Sequence, residues 1–456
     1  MADSDSKVVG RTQKRILGIG YWVQGFRCLP WMAVIFFLKD GVGVDPSTIQ
    51  LLLSSANLPM VAKPLYGVLS DALYLSGQHR IPYIAFGAFL QALSWLALAI
   101  ISPSSISITT MALYLLLSNL GASIAEVAND AIVAEVGKQQ QPTSSKTSQP
   151  SPSPASSSSS SSGELQSFVW IASSAGGVLG NLLGGLIINR VSPQKMFLLF
   201  GLLASLQLFV TIMVRESSLN LPKRASDSGV RKQLSQLTIA LRKPAIARSI
   251  TWFALSYAVI PALTGTMFFY QTEHLKIDSS VLGISKVFGQ VAMLLWSIVY
   301  NGSLKRMASS RTIIAGLQVA MALFMLSDVL FVKGVYRSIG VPDGVYVVIF
   351  SGLLEVLFFF KILPFSVVIA RLCPAGCEGS LMALVMSAVA LAMIVSGYLG
   401  VALAAYVGVT PANEFSGLPK AIAIQAVCTL VPLFWSSCIP EDELEKSSSS
   451  SRTKSE

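Results

Sequence analysis

The sequence predicts an all-α integral membrane protein, with twelve transmembrane helices arranged in two six-helix halves. Three observations predict it. Of the 456 residues, 53% are hydrophobic and only 12% are charged, and the mean hydropathy is +0.63. A soluble domain carries about 25% charged residues, so this chain cannot cover a soluble surface of its size. Twelve apolar runs reach the ~17–25 residues that cross a bilayer. A basic stretch, 215–245, divides these runs six and six, the layout of a chain built from two repeats.

The runs are 16–38, 47–69, 82–102, 108–131, 165–188, 195–214, 246–270, 281–301, 312–332, 344–370, 380–407 and 418–439, here spans one to twelve. Span one is too long for a signal peptide and contains Arg27, and no cleavage site follows it. Residues 1–15 are too short and too acidic, at Asp3 and Asp5, for an evident transit peptide, which leaves the organelle open, the plastid envelope included. Spans two and four read as the weakest, span four because it carries Glu126 and Asp130. Residues 138–163 are almost entirely Ser, Pro, Gln, Thr and Lys and read as a disordered loop, with phosphorylation as the alternative. The 440–456 tail reads likewise. The halves also echo each other: Pro30 precedes Phe36-Phe37 as Pro261 precedes Phe268-Phe269.

Loop charge orients the bundle. With Arg248 included, 22 Lys and Arg lie on the side of the N-terminus and 7 on the other. The positive-inside rule therefore places both termini in the cytosol. The net charge of +10 is dispersed between apolar runs, which argues against nucleic-acid binding. Five cysteines without a CxxC pair and two histidines, His79 and His274, leave no disulfide framework and few metal ligands. No nucleophile–base motif points to an enzyme, and no cofactor or metal is expected.

Charges fall inside the spans several times, and the candidates for a buried role are Arg27, Lys63, Glu126, Asp130, Lys286, Glu355 and Lys361. Each costs about 2.5–3.5 kcal/mol at a helix centre on insertion scales, so each must pair, face water or bind a solute. Asn119, Ser123, Glu126 and Asp130 share one helix face at i, i+4, i+7 and i+11. Tyr21, Gln24, Arg27 and Trp31 form a looser stripe on span one. Lys63 lies about 9 Å from the cytosolic end of span two, within reach of either Glu126 or Asp130. Lys286 is near the outer end of span eight, where snorkelling competes with a cavity role. Lys361 points about 120° away from Glu355 and need not share its cavity. Structural ion pairing is the competing reading for every one of these residues. A cavity bearing both signs suits a polar or anionic solute, and a carboxylate beside a cation can exchange protons as pairings change. Gly176, Gly180 and Gly184 form a small-residue row for helix packing.

Gly67, Asp71, Gly77 and Arg80 resemble the loop between spans two and three of major-facilitator transporters. Lys63-Pro64-Leu65-Tyr66-Gly67, Ser70-Asp71 and Arg80-x-Pro82-Tyr83 resemble, more narrowly, the folate–biopterin transporter family of that superfamily. So do Gln24-Gly25 with Leu29-Pro30, Asn129-Asp130-Ala131, Phe268-Phe269-Tyr270 and Cys373-Pro374-x-Gly376-x-Glu378-Gly379-Ser380. The resemblance covers about residues 20–400, most like plant members. His79-Arg80 stands where two strong bases are expected, implying a latch that weakens at high pH, and the 138–163 insert is outside the pattern.

The resemblance implies a secondary transporter of folates or pterins, proton-coupled as a symporter in many members. Arg27 and Lys63 would meet an anionic solute, Glu126, Asp130 and Glu355 would exchange ion pairs or protons, and Asp71 and Arg80 would gate the cytosolic side. The alternatives are a carrier of an unrelated small metabolite and a receptor that binds without translocating.

Overall fold

The computed structural model describes residues 2–75, 77–102, 105–139, 159–219, 235, 238–239, 241–304, 307–372 and 378–440. Most of the 138–163 insert, most of the 215–245 segment, the Cys373–Cys377 motif and the tail lie outside them. The described residues are all-helical apart from turns and one isolated bridge, between Leu75 and Gln78.

Among the described residues, ten helices are long and apolar enough to cross a membrane, and they correspond to spans one, three to six and eight to twelve. Spans two and seven, expected as continuous runs, are broken. Span two is three pieces, Pro46–Ser55, Leu58–Val61 and Lys63–Ala72. Pro59 and Pro64 each lack the N–H that would continue the ladder. Asn57 and Ser55 add side-chain bonds to the carbonyls of Leu53 and Leu51. Span seven stops at Ala258 and resumes at Thr264, with Pro261 between. Broken backbone at membrane depth persists only where partners satisfy it. At this break the Ala262 N–H donates to the Ser396 carbonyl at 3.0 Å. Ser396 Oγ donates to the Ile260 carbonyl at 2.5 Å, and Gln50 Nε2 to that of Ala262 at 2.5 Å.

Contacts divide the chain into two compact units. The first holds residues 1–30, 63–180 and 194–234. Its helices meet on small residues, because lipid supplies no hydrophobic drive between spans. A Cβ on Gly25 would lie 1.9 Å from the Ser173 carbonyl, and one on Gly176 would lie 2.2 Å from that of Trp22, so spans one and five touch backbone to backbone. Its apolar core gathers Leu17, Ile84, Ala128, Ile132 and Val169.

The second unit holds residues 31–62, 181–193 and 235–456. It contains the ends of spans one, two and five remote from the N-terminus, here called distal. The echo between halves becomes structural there. After Phe36 and Phe269 the helices widen into π-turns, Phe37–Gly41 and Tyr270–His274. The N–H groups of Val42 and Leu275 reach back five residues, both at 3.0 Å. Asp45 and Asp278 then cap the following helices, and the Phe36 and Phe268 rings meet edge to face at 5.3 Å. Gln50 also donates to the Gly397 carbonyl and accepts from Gly265 N–H. Ser55 and Tyr398 share a hydrogen bond at 2.8 Å. The distal ends of spans one and two are thus fastened to spans seven and eleven.

Candidate functional site

Span one's helix breaks at Arg27, between Ala2–Phe26 and Cys28–Phe36. Pro30 withholds the N–H that Phe26 would accept, and the break turns the guanidinium toward span four. One Nη donates to Glu126 Oε1 at 2.8 Å and the other to Asn119 Oδ1 at 2.6 Å. Lys63, the first residue of its helical piece, donates Nζ to Glu126 Oε2 at 2.7 Å. A cation at a helix N-terminus opposes the helix dipole, and Glu126 supplies the compensation. Each oxygen of one buried carboxylate therefore holds one cation. Of the two partners open to Lys63 in sequence, Glu126 takes it, whereas Asp130 accepts from the Tyr21 hydroxyl.

Behind this centre lies a pocket of about one water's volume, ≈ 10 Å³. Arg27 Nε and the amide oxygens of Gln24, Gln91, Asn129 and Gln207 line it without hydrogen-bond partners among the described residues. The polar centre thus extends from spans one and four toward spans three and six. Two cations share the Glu126 carboxylate, an excess of one positive charge that Asp130, one turn further along, balances when it is ionised.

The second-half charges separate. Lys286 and Glu355 pair with each other across spans eight and ten, both nearly half exposed. Gly352 lets those spans approach, since a Cβ on it would lie 2.8 Å from the Ser285 carbonyl. Lys361 is fully buried. Its ammonium donates to Gln318 Oε1 at 2.9 Å and to the Ser256 carbonyl and hydroxyl at 3.3 Å, and it stands 4.0 Å over the Tyr257 ring. It joins spans seven, nine and ten and shares no contact with Glu355.

At the N-terminal end of the first unit, Arg80 donates to Asp71, to Glu135 at 2.6 Å and to Ser70 at 2.7 Å. Glu216, just beyond span six, accepts the backbone N–H groups of His79, Arg80 and Ile81 at 3.0, 2.8 and 3.1 Å. These are the unsatisfied donors at the head of span three. His79 Nδ1 lies 2.5 Å from Glu216, and its Nε2 lies 3.7 Å from Glu135. Burial opposes the charged imidazole, but Glu135 and Glu216 outweigh it and push His79 up to about 9. Burial likewise opposes the Glu216 carboxylate, but His79 and the N–H groups outweigh it and bring it down to about 2. Sequence reasoning found Asp71 and Arg80 and gave His79 a pH-dependent part in the latch, but it missed Glu135 and Glu216. The one signal for Glu216 was an acid among the basic residues following span six.

Among the described residues no group of three or more His, Cys, Asp or Glu stands in metal-binding geometry.

The BT1 family model matches residues 24–455. "Probable folate-biopterin transporter 7" of Arabidopsis thaliana is 58% identical, over 98% of this chain and 99% of its own length. "Probable folate-biopterin transporter 8, chloroplastic" of the same plant is 42% identical, over 96% of this chain and 77% of its own. Among solved structures, the D-xylose-proton symporter superposes with a TM-score of 0.67 at 14% identity, covering 94% of this chain and 98% of that one. That likeness shows the major-facilitator fold.

Proposed function

The chain belongs to the BT1 family, and we propose that it carries folates or pterins, with a related organic anion as the alternative cargo, by alternating access. It is a multi-pass membrane carrier and not an enzyme. The observation that carries the substrate class is the centre at Glu126, where Arg27 and Lys63 converge on a single carboxylate. An anionic group entering there replaces Glu126 as the partner of one cation. Exchanging one charge-assisted contact for another avoids the cost of stripping a cation bare. The printed names of the relatives support folate, whose glutamate tail carries carboxylates, as that anion, and biopterin as an uncharged companion cargo.

In this reading Asp130 and Glu355 take part in the pairings that change between states, and the two six-span halves, 16–214 and 246–439, are the moving bodies. Asp71 and Arg80 latch the cytosolic side. The excess of Lys and Arg on one side supports a cytosolic position for both termini. The chloroplast named for one relative makes the plastid envelope the first membrane to examine. Proton symport is proposed from the carboxylate–cation centre.

The test is uptake by purified protein in liposomes, with and without an imposed pH gradient, across a panel of folic acid, a pterin, a dicarboxylate and a sugar. Saturable folate or pterin uptake, raised by an inward proton gradient, supports the reading. Uptake confined to the sugar would replace it.

A further inference from the structure

Asp328 is the buried carboxylate that the pairings above leave unused. It lies in span nine, 6% exposed, and no ion pair holds it among the described residues. Its hydrogen-bond donor is the hydroxyl of Tyr346, at 3.0 Å. That hydroxyl lies 2.8 Å from Ser327 Oγ, which lies 2.8 Å from the hydroxyl of Tyr336. Tyr336 belongs to the short helix Val335–Ser338 in the distal loop and is half-buried, while its neighbours Val335 and Arg337 are exposed. Four side chains thus form one file from the distal surface to a carboxylate enclosed by protein. Aromatic rings wall it: Tyr346 stacks on Phe331 at 4.2 Å and on Phe350 at 4.9 Å, and Tyr336 lies 4.8 Å from Tyr346.

The polarity of the file is set from its inner end. With Asp328 ionised, Tyr346 must donate to it. Ser327 then donates to Tyr346 and Tyr336 to Ser327, so that every hydroxyl hydrogen points inward. A proton arriving at the Tyr336 oxygen can be relayed in one concerted shift. Each hydroxyl passes its own hydrogen inward and receives one from outside, and Asp328 becomes the neutral acid. No atom is lost or gained along the chain except the proton itself.

We propose that Asp328 is a proton-binding site, loaded from the distal side through Tyr336, Ser327 and Tyr346. An ionised carboxylate enclosed in this way, with one neutral donor and no cation, is compensated by taking up a proton. The charged and titratable groups around it fit that role. Arg337 is held by Asp343 at 2.7 Å and by Tyr270, Lys333 is exposed, and Tyr270 donates to the Val332 carbonyl and stacks on His274. Of the helices packed along span nine, span ten carries Glu355 and Lys361, held respectively by Lys286 and Gln318, and the exposed Arg371. Span twelve carries the exposed Lys420 and the half-buried Cys428. The inference deepens the transport reading, since a proton taken up here would couple to the cargo. The site itself stands whether or not a folate is carried.

The test separates the two. In an infrared pH titration of the purified full-length protein between about pH 5 and 9, a range centred on neutrality, the wild type should show a protonated-carboxyl band that Asp328→Asn removes. Deuterium exchange into that band should slow roughly 10²-fold in Ser327→Ala, the low end of what a positioned proton-transfer group supplies. An Asp328→Asn spectrum identical to wild type overturns the site, and unchanged exchange in Ser327→Ala overturns the wire. Tyr346→Phe, which keeps the ring, answers the same question if Asp328→Asn does not fold. In liposomes given folic acid, Asp328→Asn should abolish acceleration by a pH gradient while leaving counterflow within about twofold. Persistent gradient acceleration would overturn coupling through Asp328. Absence of folic acid movement in the wild type would count against the substrate reading alone, leaving the infrared result to decide the site.

Discussion

Glu126 concentrates the chemistry at the scale of single residues. Its two oxygens are each occupied, one by Arg27 and one by Lys63, so removing it strands two cations. Residues joined in one network do not add: a Lys63→Ala, Glu126→Gln cycle should show a coupling of about 0.5–3 kcal/mol in thermal stability. Additive losses would mean that the pair contributes nothing as a pair. A second residue-scale prediction concerns His79 and Glu216. His79 is raised from 6.5 to about 9. Its contribution is complete below about 6.5 and fades as pH climbs through about 9. Glu216 is lowered from 4.5 to about 2. Its contribution is complete above about 4.5 and fades as pH falls toward about 2. Thermal unfolding should therefore show this cluster fully engaged between those two ordinary values. Stability should decline on the alkaline side between about pH 6.5 and 9, and His79→Gln should flatten that decline. An equally steep alkaline decline in the variant would place the titrating group elsewhere.

Elements explain what was legible in the sequence and what was not. The long spans followed from apolar length alone, as did the polar face of span four, because i, i+4, i+7 spacing survives any packing. The breaks in spans two and seven were not foreseen, although their prolines were in plain view. A proline predicts a lost bond, but whether the helix bends or stops depends on who satisfies the freed carbonyl. In span seven that is Gln50 and Ser396, each more than a hundred residues away in sequence, whereas in span two Asn57 and Ser55 bond carbonyls of their own span. The same limit hid Glu216, whose role is to cap a helix it does not belong to. Glycine contacts were half legible: Gly176 and Gly180 meet span one, whereas Gly185 rather than Gly184 lies against Gly283. Gly25→Leu should drive a side chain into the Ser173 carbonyl. Overpacking commonly costs about 1–3 kcal/mol, so detergent-solubilised variant should melt lower than wild type. A Gly25→Leu protein as stable as wild type would mean that spans one and five can separate at little cost.

The whole molecule carries its cargo only if fastened ends can release. Gln50 makes three backbone contacts that tie span two to spans seven and eleven. Truncating it leaves the Ala262 and Gly397 carbonyls without that donor, weakening the distal closure. Gln50→Ala should therefore raise the labelling rate of a Ser55→Cys reporter by a membrane-impermeant thiol reagent, and added folic acid should change that rate in the parent reporter. Equal labelling with and without Gln50→Ala would show that the closure rests on other contacts. The central claim, that Arg27 and Lys63 receive the anionic tail of a folate, is tested most directly by folic acid counterflow in proteoliposomes. The account predicts that Arg27→Ala weakens apparent affinity roughly 10- to 100-fold, the worth of one charge-assisted hydrogen bond. Lys361→Met, which alters a buried cation outside that centre, should change affinity far less at equal incorporation. Wild-type affinity in Arg27→Ala would contradict it.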